Sequence, residues 1–256
     1  TELNITLAGT LDNTAGTLAS HANNMSLSAD TLLNTDGKIE HSGSVGPFVS
    51  GGQLSLQAST LNGQRGHILS TAALRLRGGS INLDSASTAA AHIDIDVASL
   101  SNRSGTITQS GTQATRIQTS GLLDNSAGQI ASNADTTLVA KNLVNQGGSI
   151  QSTGTATLSL TTTQALDNSA HGQIMAGGSA TLNAHSLNNQ QGRITAGGTL
   201  DASLAQGLEN QAGLIAANGS VVLSAASFNN NDGTAASVLS DLSVTTTGST
   251  SNDSGK

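Results

Sequence analysis

Leu123-Asp124-Asn125-Ser126-Ala127-Gly128-Gln129-Ile130-Ala131-Ser132 is the stretch from which nearly the whole chain is built. Its skeleton, Leu-x-Asn-x-x-Gly-x-Ile, returns with Leu11, Asn13, Gly16 and Leu18, with Leu32, Asn34, Gly37 and Ile39, and with Leu100, Asn102, Gly105 and Ile107. It continues with Leu143, Asn145, Gly148 and Ile150, with Leu187, Asn189, Gly192 and Ile194, and with Leu208, Asn210, Gly213 and Ile215. Looser copies fill the gaps: Gly63 stands for Asn between Leu61 and Gly66, one extra residue separates Asn168 from Gly172, and Phe228, Asn230, Gly233 and Ala235 end the series. Most steps between marker glycines are 20 to 24 residues and one is 29; the 39 residues from Gly66 to Gly105 fit two units, with Ile81-Asn82-Leu83 as a degenerate copy between. A fixed period of this length marks a repeat architecture, in which each unit buries its apolar face on its neighbours.

Within a unit the apolar residues alternate, as at Ala180, Leu182 and Ala184, at Leu200, Ala202 and Leu204, and at Leu158 and Leu160. That is strand periodicity, with one face in and one face out. Each unit holds about three short strands separated by Gly, Asn and Ser corners, and no stretch sustains a helical apolar period. The fold expected is all-β, a parallel β-helix of about eleven turns with roughly 20–23 residues per turn, a rod of about 50 Å at about 4.8 Å per turn. The Leu residues should stack in an interior column. Asn13, Asn34, Asn102, Asn125, Asn145, Asn168, Asn189, Asn210 and Asn230 should form a structural amide ladder, with Asn tolerating left-handed geometry at the corner and the marker Gly supplying a positive backbone angle.

Composition narrows the function. There is no cysteine, tryptophan or tyrosine, with one proline and two phenylalanines, so aliphatic stacking and backbone pairing must carry stability. A formal charge of −7 with nine Lys and Arg in total argues against nucleic acid, which needs clustered cations. No apolar run reaches the length of a transmembrane segment, and no signal segment opens the chain. Thr1 has no Met before it and Leu3, Ile5 and Leu7 already read as a strand, so the chain reads as cut from something longer.

Two places break the rhythm inside the repeat shaft, residues 1–244. Residues 41–52 lengthen one turn and contain Pro47 and Phe48, which are expected to leave the coil as a loop and offer a partner contact. Residues 78–97 run from the poor copy through an Ala-rich stretch to His92-Ile93-Asp94-Ile95-Asp96-Val97. Residues 245–256, rich in Thr, Ser, Gly and Asn, are expected to be a flexible tail or linker.

Residues 3–244, through their recurrent Leu-x-Asn-x-x-Gly-x-Ile, resemble the repeats of filamentous haemagglutinins and of contact-dependent growth inhibition exoproteins, large secreted proteins of Gram-negative bacteria. The resemblance implies a right-handed parallel β-helix, export by two-partner secretion through an outer-membrane transporter, and a place at the bacterial cell surface. It also implies a monomeric rod that acts as an adhesin or as a stalk for a toxin, facing an unidentified receptor on a host or target cell. No cofactor is implied.

An enzyme is the competing reading, since a β-helix can process polysaccharide. Asp124 and Asp167 occupy the same slot two turns apart, which would separate them by about 9–10 Å, near the upper limit for an inverting glycosidase. Asp12 and Glu209 fill that slot in other turns without partners, so a solvent-facing corner is the favoured reading and catalysis is not expected. His92, Asp94 and Asp96 share one side of a strand, where a metal site could begin, but a polar outer face is favoured. Arg75 and Arg77 form a small basic spot, and Phe228 replaces a core Leu.

Overall fold

The computed structural model describes residues 1–43 and 52–256. Pro47 and Phe48 lie outside them. The described residues form strands, turns and bends with no helix, coiled into a parallel β-solenoid of twelve turns. Each strand pairs in parallel with its counterpart one turn away, as Leu122–Asp124 does with Asn142–Val144, Gln129–Ser132 with Ser149–Ser152, and Thr136–Ala140 with Leu158–Thr162. Side chains therefore align in columns along the rod. Leu32, Leu61, Ile81, Leu100, Leu123, Leu143, Leu166, Leu187, Leu208 and Phe228 make one buried column. Each such side chain contributes about 1.5–3 kcal/mol. Ile39, Ile68, Ile107, Ile130, Ile150, Ile174, Ile194 and Ile215 make another. Thr88 interrupts it, in the degenerate turn.

The irregular region 78–97 stays within the coil. His67–Asn82 and Ser87–Ser101 are long strands that bend around the rod and pair through 13 residues. The degenerate corner is Leu83, and Ala86 takes the place of the marker Gly, donating its N–H to the Leu83 carbonyl. Residues 245–256 likewise differ from the tail expected of them. Leu242–Thr246 pairs with Val221–Ala225, Thr250 and Ser251 pair with Phe228 and Asn229, and Gly255 donates to the Asn252 carbonyl. This is the twelfth turn, whose strand faces are exposed. Asn252-Asp253-Ser254-Gly255 keeps the Asn-x-x-Gly spacing, while Thr250 replaces the Leu that would have advertised it.

The corner chemistry differs from the expected one in an instructive way. Neither the ladder Asn nor the marker Gly has a positive φ. The left-handed residue is the one immediately before the marker position: Ala15, Asp36, Arg65, Ser85, Ser104, Ala127, Gln191, Ala212, Asp232 and Ser254, with φ of 52–58°, and Gly147 at 62°. In the turn with one extra residue both Ala170 and His171 take it. The Gly is required by space instead. A Cβ on Gly128, Gly148, Gly192, Gly213 or Gly233 would lie 2.1–2.2 Å from the carbonyl oxygen of the Asn one turn below and 2.5–2.8 Å from the Oδ1 of the Asn in its own turn.

The two kinds of strain separate experimentally. Gly192→Ala should lower stability by about 2 kcal/mol or more, because backbone must move. Ala212→Gly should leave it unchanged or raise it by up to about 1 kcal/mol, since it relieves a left-handed Ala while loosening the unfolded chain. Urea unfolding midpoints of the two variants check both signs; equal, small effects would contradict the steric role of the Gly.

Candidate functional site

The recurrent polar side chains converge on the corner. Asn13, Asn34, Asn102, Asn125, Asn145, Asn168, Asn189, Asn210 and Asn230 are buried. In the eight bonds of the column, each Nδ2 donates to the Oδ1 one turn further along at 2.6–2.8 Å: Asn13 to Asn34, and Asn102 through each Asn in turn to Asn252. Further Nδ2 bonds go to backbone carbonyls; Asn145 Nδ2 reaches Gly148 O at 3.3 Å and Gln173 O at 3.0 Å. From Asn125 to Asn230 the amide is thus bonded at both ends, and nothing of it faces solvent as a binding group. The column lapses where Gly63 and Leu83 hold the corner.

The slot just before the corner holds Asp124 and Asp167, and it too has structural work. Asp12, Asn62, Asn82, Asp124, Asp167, Asn188 and Asn229 each accept, through Oδ1, the backbone N–H two residues on, at 2.9–3.3 Å. This is the Asx turn, which stands in for a backbone turn. Where Ser101 occupies the slot, Asp84 of the neighbouring turn accepts the Arg103 N–H instead, at 2.9 Å.

Asp124 and Asp167 stand two strands apart with Val144 between them. Asp124 also takes the Ser126 hydroxyl at 2.6 Å and Arg103 Nε at 2.6 Å, and Asp167 takes Gln146 Nε2 at 2.8 Å. Both carboxylates are therefore committed to their own corners. Burial works against the charge of Asp124, but the Ser126 hydroxyl and N–H and the Arg103 guanidinium outweigh it and hold the carboxyl below the usual range.

His92, Asp94 and Asp96 do share a strand face, but arginines flank them. Arg75 and Arg77 lie one turn below in register with Asp94 and Asp96, and Arg116 lies one turn above. Asp94 bonds Arg77, and Arg116 at 3.5 Å, with Arg75 at 4.0 Å. Partial burial opposes the Asp94 charge; Arg77, Arg116 and Arg75 more than offset it and lower its pKa. This cross-brace ties three turns together, and among the described residues no three His, Asp or Glu side chains converge as a metal would need.

A further, mostly polar interior column went unread in the sequence: Ser20, His41, Ser70, Ala90, Gln109, Ser132 and Ser152 in matching registers. His41 is buried, with Nδ1 2.9 Å from Ser70 Oγ and Nε2 facing the carbonyls of Ala22 and Asn23 at 3.0 and 3.1 Å. Gln109 Oε1 accepts the Ile93 N–H at 2.8 Å. The clue was available: both residues fall two places after the apolar Ile39 or Ile107, on the inward phase of a strand. Beside this column lies an open groove of about 390 Å³, lined in part by His21, Glu40, Ser42, Leu69 and Thr71. His21 Nδ1 contacts Ser42 Oγ there. No acidic side chain among the described residues bonds His21, and the Ser42 N–H is spent on Ser20 O, so neither the orienting acid nor that oxyanion donor is in place.

Fold and corners define a class: a parallel β-solenoid repeat protein whose recurrent polar residues hold one coil to the next. Compared with known families, the chain matches the haemagglutinin repeat over residues 2–46, 49–127, 112–170, 166–207 and 176–254, and it belongs to that family. No curated protein and no solved structure matches it. Among the described residues no helix is long and apolar enough to cross a membrane.

The lowered pKa of Asp124 has a pH consequence. A carboxyl more acidic folded than unfolded adds stability above its unfolded value of about 3.9, and that stability is lost as pH falls through the lower folded value. Asn at this position keeps the Oδ1 acceptor and cannot titrate. Wild type should therefore lose stability relative to Asp124→Asn as pH drops below about 4, and thermal unfolding of both from pH 7 to 2.5 checks it. Parallel pH profiles would contradict the assignment.

Proposed function

We propose that the chain is a rod-like shaft segment of a large secreted bacterial exoprotein, a haemagglutinin-type adhesin or the stalk of a growth-inhibition toxin. It extends a binding or toxin region away from the cell surface and is exported by two-partner secretion through an outer-membrane transporter. Family membership supports the adhesin-type setting. The observation that carries the shaft reading is the fate of the polar residues: the repeated Asn and Asp side chains that would look like site chemistry in a single copy bond the coil to itself. A chain that uses its recurrent chemistry in this way supplies length and stiffness. The receptor and any toxin belong to the parts it presents.

A shaft tolerates the loss of a whole coil, whereas a receptor site or an active site does not. Residues 189–209 are one repeat, and joining Asn188 to Asn210 restores the corner spacing. With the chain set beneath a binding domain on a cell surface, the excised and complete shafts should support equal binding to target cells, differing in reach by about 4.8 Å. Binding abolished by the excision, with strand content intact by circular dichroism, would overturn the reading.

A further inference from the structure

Eight of the interfaces between turns carry an Asn–Asn bond, and three consecutive ones do not: those joining Asn34 to Gly63, Gly63 to Leu83, and Leu83 to Asn102. Three residues change together there. Gly63 removes a side chain, and Leu83, fully buried, leans into the space, its Cδ2 3.0 Å from where a Cβ on Gly63 would stand. Ala86 replaces the marker Gly in the one turn whose own corner and the corner below both lack an amide. The polar ladder is exchanged for an apolar plug over two turns.

The exchange is incomplete. Asn102 Oδ1 keeps the orientation of an acceptor for the turn below, finds Leu83 there, and is left buried without a hydrogen-bond partner. Thr88 Oγ1, buried in the isoleucine column of the same turn, is also without one. Backbone pairing does not compensate. The 13 registered pairs between the two long strands are only two more than the 11 that three separate strands of a later turn supply, with five, two and four. What distinguishes these corners is the missing interior Asn–Asn bond, with Thr88, His92 and Asn102 each keeping a buried polar atom without a partner. The Arg65–Asp36 and Arg77–Asp94–Arg116 bridges that cross the same turns lie on the outer face, where solvent screens them, and an apolar contact fixes register less strictly than an amide pair.

We infer that the shaft has a built-in seam at Gly63–Leu83–Asn102 that divides it into two separately opening units, residues 1–82 and 102–256. In a repeat array stability is a sum of unit and nearest-neighbour terms, so a run of weak interfaces separates cooperative blocks. The first unit is the shorter and holds a single Asn–Asn bond, Asn13 to Asn34, so it opens first. Under tension along the rod the seam is the yield point.

Native-state hydrogen exchange on the intact chain tests this. Strand amides before residue 82 should share one opening equilibrium, and those of 102–230 another that is at least about tenfold less populated, with the step at the seam rather than at a chain end. In the variant Gly63→Asn/Leu83→Asn/Ala86→Gly, which completes the ladder, the step should vanish. Because that variant could fail to fold, stretching the wild-type chain from its ends is the second measurement. Two unfolding events are expected, the first releasing about 80 residues, or about 280 Å of chain. A single protection level across the seam, a step that persists in the folded triple variant, or one unfolding event for the whole chain would overturn the inference.

Discussion

The structure depends on one contact repeated along the rod: a buried Asn amide donating to the amide of the next coil, beside a residue that must lack a Cβ. The two are a single constraint. Parallel strands stack at about 4.8 Å, and at that distance the carbonyl of one corner intrudes on the Cβ position of the marker residue above it. Gly192 meets Asn168 O in this way, and Gly213 meets Asn189 O. A larger residue would force the coils apart and stretch the amide bond beyond use. The turn with neither amide beneath it nor amide within it is the turn that carries Ala86.

Around that contact the interior is small and largely aliphatic, as a narrow coil requires. Most polar groups that enter it finish a corner, as Ser132 does by accepting the Ala134 N–H at 3.1 Å, and as His41 does across three turns. Buried polar atoms cost free energy unless bonded, so recurrent polar residues in a β-solenoid are bound to become structure. That is why Asp124 and Asp167, which in one copy suggest paired catalytic carboxylates, each cap a turn and take a neighbour's Arg or Gln.

The periodic elements were legible because each has one residue type doing one job: Leu and Ile for the columns, Asn for the amide, Gly for the close approach. The left-handed position was not legible. Ala127, Arg65, Gln191 and Asp232 share a backbone angle that none of their side chains announces, and the nearby Gly drew the assignment to itself. The last turn was missed because its Leu is Thr250, although Asn252 and Gly255 were in place. Charge in an outward slot was ambiguous until register was known: beside His92, Asp94 allows a ligand but favours a plain polar face, and it becomes an ion-pair partner once Arg77 and Arg116 are set on either side.

Exchange of the asparagine side-chain amide protons measures the central contact directly. If the amides are stacked and bonded coil to coil, the Nδ2 protons of Asn125, Asn145, Asn168, Asn189 and Asn210 exchange as slowly as the neighbouring strand amides, while those of exposed Asn218 exchange freely. Side-chain protons in this column that exchange as fast as those of Asn218, in a chain whose strands remain protected, would show that the coils are held together without the ladder.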